Sequence, residues 1–259
     1  MNTTGKEERA QYLFVIRELT SREIKRKYAR SNLGIVWSVL SPLLNMVVMS
    51  LIFSTMFKRS IENFPIYYLT GNIFWSLFST ATNTSMSSLV DNKNLLLKAK
   101  LPKQIFVVSR IYTALVNFGY TCIAYVLMLI IFRITPKWTM LLFPFIVLCS
   151  LMFAMGISYI LSIVYVFFAD IKYLYSVILT LWMYLSAIFY PVDSLPEFMK
   201  EVINCNPVYL SIYAARECIM SGNVPDISIW IKLFGSGLLS LLLGYLVFRR
   251  KENVVMQSI

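Results

Sequence analysis

Eight of the ten residues from Ser79 to Ser88 are Ser, Thr or Asn, in a stretch free of charge. Such side chains donate and accept hydrogen bonds without titrating, so they suit neutral, hydroxyl-rich groups better than proton transfer. Ser76, Thr80, Asn83 and Ser87 fall on one face at helical spacing, and Ser38, Ser41 and Asn45 do the same, with Trp37 one turn before Ser41. Two readings are open. Hydroxyls and small residues serve helix packing in membranes, or these side chains line a path for a neutral substrate. Aromatic rings accompany them. Tyr67, Tyr68 and Tyr190 stand near the ends of apolar runs, where an interfacial belt accounts for them. Trp75, Phe78 and Trp182 lie deeper, where flat amphipathic rings can carry sliding sugar faces.

Other chemistries are excluded by what the chain lacks. It has no histidine, so a His base or His-ligated metal is ruled out. No G-x-x-x-x-G-K-[ST] occurs, and the nine glycines never cluster into a phosphate cradle. The 13 acidic residues stand mostly singly, with no D-x-D pair for a metal-bound nucleotide sugar. No catalytic or metal site is expected. The central turns of the apolar runs carry no ionisable group, which argues against an ion-coupled carrier. Of four cysteines, Cys122 and Cys149 sit within apolar runs, while Cys205 and Cys218 share one polar segment in which a disulfide is open.

The elements that must position these residues are apolar helices. The chain of 259 residues is 58% hydrophobic and 14% charged, against about 25% charged in soluble domains, and its mean hydropathy is +0.67. Long uncharged runs recur, the first from Ser31 to Phe57 with Pro42 inside it. A bilayer core needs about 20 apolar residues per helix. The expected fold is an all-α integral membrane protein with six spans, at 32–57, 64–90, 105–132, 139–168, 173–191 and 227–248. The first run starts too far in, and is too long, to be a secretory signal.

With the N-terminus in the cytoplasm, 17 of the 24 Lys and Arg fall inside and seven outside, which places both termini in the cytoplasm. The net charge of +11 then reads as topology and anionic-lipid contact, not nucleic-acid binding. Residues 10–30 read as an amphipathic helix in the cytoplasmic interface. In the external segment, Leu195, Phe198, Met199, Val202 and Ile203 mark one short helix. Asn206 and Pro207 supply the cap and first turn of a second, with Gly222 as its stop. These two helices form a re-entrant hairpin or rest on the surface.

Arg17-Glu18-Leu19, then Lys27-Tyr28-x-x-Ser31-x-Leu33-Gly34-x-x-Trp37 and Pro42, resembles the N-terminal signature of polysaccharide-export permeases. These are membrane subunits of type 2 ABC transporters for O-antigen, capsule or teichoic acid chains. Asn94-Leu95 with Lys98 and Pro102, Asp170 after Phe167-Phe168, Phe189-Tyr190-Pro191, Leu195-Pro196 and Asn206-Pro207 with Arg216, Gly222 and Pro225 continue the match. Ala169 departs from it, since an arginine usually precedes the aspartate. The resemblance implies a homodimer in a bacterial inner or cytoplasmic membrane with two separate cytoplasmic ATPase subunits. ATP and Mg would be bound by those partners, with no cofactor in this chain. It also implies that residues 91–104 form the coupling segment, with Lys93, Leu95, Leu97, Lys98 and Pro102 meeting the ATPase and Leu96 as a further anchor.

The expected mechanism follows. A lipid-linked glycan meets Lys25, Arg26 and Arg30 through its pyrophosphate. It then threads past Trp37, Ser41, Asn45, Trp75, Phe78, Asn83, Trp182 and Phe189 between two protomers. Helices within 195–221, with Phe198, Val202, Tyr209 and Arg216, close the outer end. The alternatives are a type 2 exporter of a small lipid or drug and, further off, a multispan glycosyltransferase, for which clustered acids or a base are missing.

Overall fold

The computed structural model describes residues 3–29, 31, 33–53, 61, 63–98 and 101–258, and every regular element among them is helical. In chain order these are α1 (Thr3–Tyr28), α2 (Val36–Phe53), α3 (Phe64–Met86), α4 (Ser88–Asp91), α5 (Lys93–Lys98), α6 (Gln104–Ile131), α7 (Phe143–Phe167), α8 (Ile171–Tyr184), α9 (Glu197–Asn204), α10 (Pro207–Arg216) and α11 (Ile227–Ser258). A 3-10 turn at Trp138–Leu142 leads into α7, and a π turn at Glu217–Ser221 extends α10. Prolines stand in the first turns of α3, α7 and α10, where the missing N–H costs nothing.

Four helices among the described residues are long and apolar enough to cross a membrane: Val36–Phe53, Gln104–Ile131, Trp138–Phe167 and Ile227–Val255. Helix α3 has 23 residues and a length of about 34 Å, but its hydroxyl-rich second half dilutes its apolar content. It is the innermost helix, with Ile66, Leu69, Ile73, Phe74, Leu77 and Phe78 buried against α6, α7 and α2. Protein covers most of this helix, so most of its small polar residues need not meet lipid.

Helix α11 runs along α7. At their crossing, a Cβ on Gly156 would lie 2.2 Å from the Ser240 backbone, and one on Gly244 would lie 2.2 Å from the Gly156 oxygen. Ser240 Oγ donates to the Phe153 carbonyl at 3.1 Å. Between membrane helices, close backbone contact of this kind replaces the hydrophobic drive that lipid cannot supply.

The structure differs from expectation at α8. Of the expected span 173–191, only the part up to Tyr184 is helical. Fourteen residues reach about 21 Å, short of a hydrocarbon core of about 30 Å. The chain then bends through Ala187, whose φ is 46°, and returns into α9 and α10. Asn206 caps α10 by accepting from the Val208 amide at 3.0 Å, and the helical run ends at Gly222 with φ 75°. On α9, Ile203 is buried while Phe198, Met199 and Val202 are exposed, so its apolar face looks largely away from the bundle. Helix α1 begins at Thr3 and is held to the bundle: Leu19 and Thr20 are buried, and Thr20 Oγ1 donates to the Ser109 carbonyl at 3.3 Å. All four cysteines are free thiols, Cys218 buried and Cys205 exposed, so the disulfide left open by the sequence is not formed.

Candidate functional site

The two hydroxyl faces of the sequence meet. A polar cavity of about 220 Å³ is lined by Trp37, Ser38, Ser41 and Pro42 of α2, Ser76 and Thr80 of α3, Asn117 and Thr121 of α6, and Lys27 and Tyr28 of α1. Pro42 lacks the N–H that would bond to the Ser38 carbonyl, and Ser38 Oγ is hydrogen-bonded to the Tyr28 hydroxyl. The end of α1 is thereby tied to the proline turn of α2. Lys27 Nζ donates to Asn117 Oδ1 at 3.1 Å, bringing one exposed cation to the cavity rim.

The α6 contribution went unread in the sequence. Thr113, Asn117 and Thr121 stand four residues apart, each bonded back to the carbonyl one turn earlier. That spacing was available as a signal, but the denser run at 79–88 overshadowed it. Much of that run serves packing. Thr82, Ser85 and Ser88 are fully buried, and Thr82 and Thr84 donate to the carbonyls of Phe78 and Thr80.

Other expected channel residues lie elsewhere. Trp75 and Phe78 are core side chains, 9% and 3% exposed, with Phe78 packed 5.0 Å from the Trp182 ring and 5.5 Å from Phe153. Trp182 Nε1 donates to Asn206 Oδ1 at 2.9 Å, and its ring borders an apolar groove of about 370 Å³ shared with Val202. Phe189 is buried among the rings of Phe53, Tyr68 and Tyr184. Asn45 and Asn83 are exposed on α2 and α3, apart from the cavity lining. Lys25 and Arg26 are exposed near the end of α1, and Arg30 lies outside the described residues.

In the segment expected to couple to an ATPase, Leu96 turns inward beside Leu19, Leu89 and Phe106. Leu95 and Leu97 face outward, 37% and 57% exposed, with Lys93, Lys98 and Pro102 also exposed. Behind this surface, Arg110 of α6 pairs with Glu23 of α1 at 2.5 Å and Asp91 of α4 at 2.9 Å. Arg22 Nη2 donates to Asn92 Oδ1 at 2.6 Å. Helix α1, which carries Lys27 in its last turn, and the segment carrying Leu95 and Leu97 therefore share one polar joint.

At the far end of α3, Phe198 is 75% exposed, while Tyr209 and Arg216 are buried beside a second polar cavity. Arg216 donates from Nη1 to the Ala187 carbonyl at 3.0 Å and from Nη2 to the Tyr67 and Ile188 carbonyls at 3.1 Å. Its guanidinium lies 3.4 Å from the Tyr67 ring centroid. Burial pulls its pKa below the ordinary arginine value, and these carbonyl dipoles offset part of that cost. Arg216 is thus the staple that holds the bend after α8.

A helical bundle with a polar cavity among apolar helices, an exposed leucine pair at one end and no nucleotide loop has the build of a membrane permease. Residues 15–220 match the ABC-2 type transporter family, and the chain belongs to it. It is 28% identical over 251 residues to the O-antigen export system permease protein RfbA of Myxococcus xanthus, covering 96% of each chain. It is also 28% identical over 243 residues to RfbA of Klebsiella pneumoniae, covering 92% of this chain and 93% of that one. To the polysialic acid transport protein KpsM of Escherichia coli it is 23% identical over 250 residues, covering 94% and 95%.

Proposed function

We propose that this chain is the membrane-spanning permease subunit of an ATP-driven exporter, moving a lipid-linked polysaccharide out across the bacterial inner or cytoplasmic membrane. The observation that carries the reading is the polar cavity at the end of α1, in a chain similar along nearly all its length to O-antigen export permeases. Hydroxyl and amide groups from four helices can exchange hydrogen bonds with a glycan without trapping it in charge pairs. Lys27 at the rim supplies a cation for the carrier's pyrophosphate, joined by the exposed Lys25 and Arg26.

Energy comes from two separate ATPase subunits that dock on Leu95, Leu97 and the lysines around them. Their stroke moves α4 and α5, and the Arg110–Glu23–Asp91 joint passes that motion to α1 and hence to Lys27 and Tyr28. Two copies of the chain enclose the path, burying the apolar residues that α2 and α8 expose, among them Leu44, Val48, Leu51, Leu174, Val177 and Leu181. Helix α3, and α8 with the bend behind it, complete six crossings with both termini in the cytoplasm. Helices α9 and α10 form a re-entrant outer gate.

The test is glycan export by cells carrying Lys27→Ala or Trp37→Ala. Each should slow the appearance of surface polysaccharide several-fold with the chain at normal abundance in the membrane. Unchanged rates in both would remove the cavity from the transport path.

A further inference from the structure

The second polar cavity, about 260 Å³, lies where Tyr67 at the start of α3 meets Asp193, Tyr209, Tyr213, Arg216 and Glu217. Helix α3 separates it from the Arg110 joint by most of its length, so it sits at the opposite end of the bundle from the coupling segment. Its charges are not matched in the expected way. Arg216 spends its donors on the carbonyls of Tyr67, Ala187 and Ile188. Among the described residues, neither Asp193 nor Glu217 forms an ion pair; Glu217 Oε2 has only a long 3.5 Å contact from the Asn223 amide. The cavity thus presents two carboxylates with acceptor capacity to spare, beside phenolic rings. Burial and the nearby carboxylates push the Tyr213 hydroxyl pKa upward, so it remains a neutral donor.

This lining selects its ligand by elimination. The two carboxylates outnumber the one guanidinium, whose donors are already taken by carbonyls, which disfavours an anion, and an apolar group would leave the carboxylates desolvated and unbonded. A bound metal ion finds no cluster of three His, Cys, Asp or Glu among the described residues. A sugar ring satisfies the site: adjacent hydroxyls donate to a carboxylate while the C–H face lies on a tyrosine ring. A cavity of about 260 Å³ has room for one sugar ring. We propose that this cavity is a monosaccharide subsite at the outer end of the permease, holding one neutral sugar residue through Asp193 and Glu217. The proposal rests on the glycan-export reading for the source of that sugar.

The test is saturation-transfer NMR on the full-length chain in nanodiscs. The probes are methyl α-mannopyranoside, methyl α-glucopyranoside and methyl α-rhamnopyranoside, with ethanolamine as the competing cation. At least one glycoside should receive saturation. Asp193→Asn with Glu217→Gln should cut that signal at least tenfold, and Tyr213→Ala, a half-buried position, should weaken it independently if the double variant folds poorly. Arg249→Met, at an exposed position outside both cavities, should leave it unchanged. No transfer to any glycoside, equal transfer in the double variant, or transfer to ethanolamine alone would each overturn the proposal. Failure of the export reading would show instead as normal surface glycan in cells lacking the chain, with glycoside binding intact.

Discussion

Replacing Arg216 with Met should loosen the outer end of the molecule while leaving its core in place. Arg216 is 8% exposed, and its side chain serves three backbone carbonyls at 3.0–3.3 Å. Gly71 leaves the room: a Cβ there would stand 2.8 Å from Arg216 Nη2. Methionine fills much of the volume but donates nothing. Each buried carbonyl left unpaired costs about 1–3 kcal/mol, and relief from burying a cation offsets part of the sum, leaving a net loss of about 3 kcal/mol. For a chain of this size, that corresponds to a fall in Tm of about 6–12 °C.

Arg216→Lys should do nearly as badly, because an ammonium is a single point donor and cannot reach carbonyls arranged around a planar fork. Arg249→Met, at an exposed position, is the control. Thermal unfolding of the three purified variants in one detergent decides it. An Arg216→Met chain melting within about 2 °C of the parent would refute the claim that this side chain holds the bend after α8.

Further outcomes follow from the other joints. Gly156→Leu drives a side chain into the Ser240 backbone and should separate α7 from α11, seen as loss of folded, monodisperse protein. Gly119→Leu, with open space around its Cβ position, should be tolerated. Leu95→Asp with Leu97→Asp should abolish co-purification of the ATPase while leaving the chain's own melting temperature within about 2 °C, since both side chains are exposed. Retained co-purification would remove the coupling assignment.

The sequence disclosed the apolar helices because uncharged runs of bilayer length leave little else to build. Asn206 with Pro207, and Gly222 beyond them, were equally legible, because caps and stops are local chemistry. The length of α8 was not legible. The apolar run continues to Val192, and the helix ends at Tyr184 beside a bend whose carbonyls Arg216 holds from 28 residues or more away in the chain. The burial of Trp75 and Phe78, apart from the Trp37 cavity, was not legible for a related reason. Helical spacing gives a face, but not whether that face meets a cavity or α7. Ser41 and Trp37 came out at the cavity because they flank the proline turn, whereas Lys27 was hidden among equally basic neighbours until Asn117 identified it.

The central claim, that this chain carries a lipid-linked polysaccharide across the membrane, is tested most directly by locating that glycan in cells lacking the chain and in the same cells with it restored. The account predicts that its loss removes polysaccharide from the cell surface and lets the lipid-linked form accumulate on the cytoplasmic side, and that restoring the chain with its ATPase reverses both. Surface polysaccharide at the parental level in cells lacking the chain, with no internal accumulation, would contradict it.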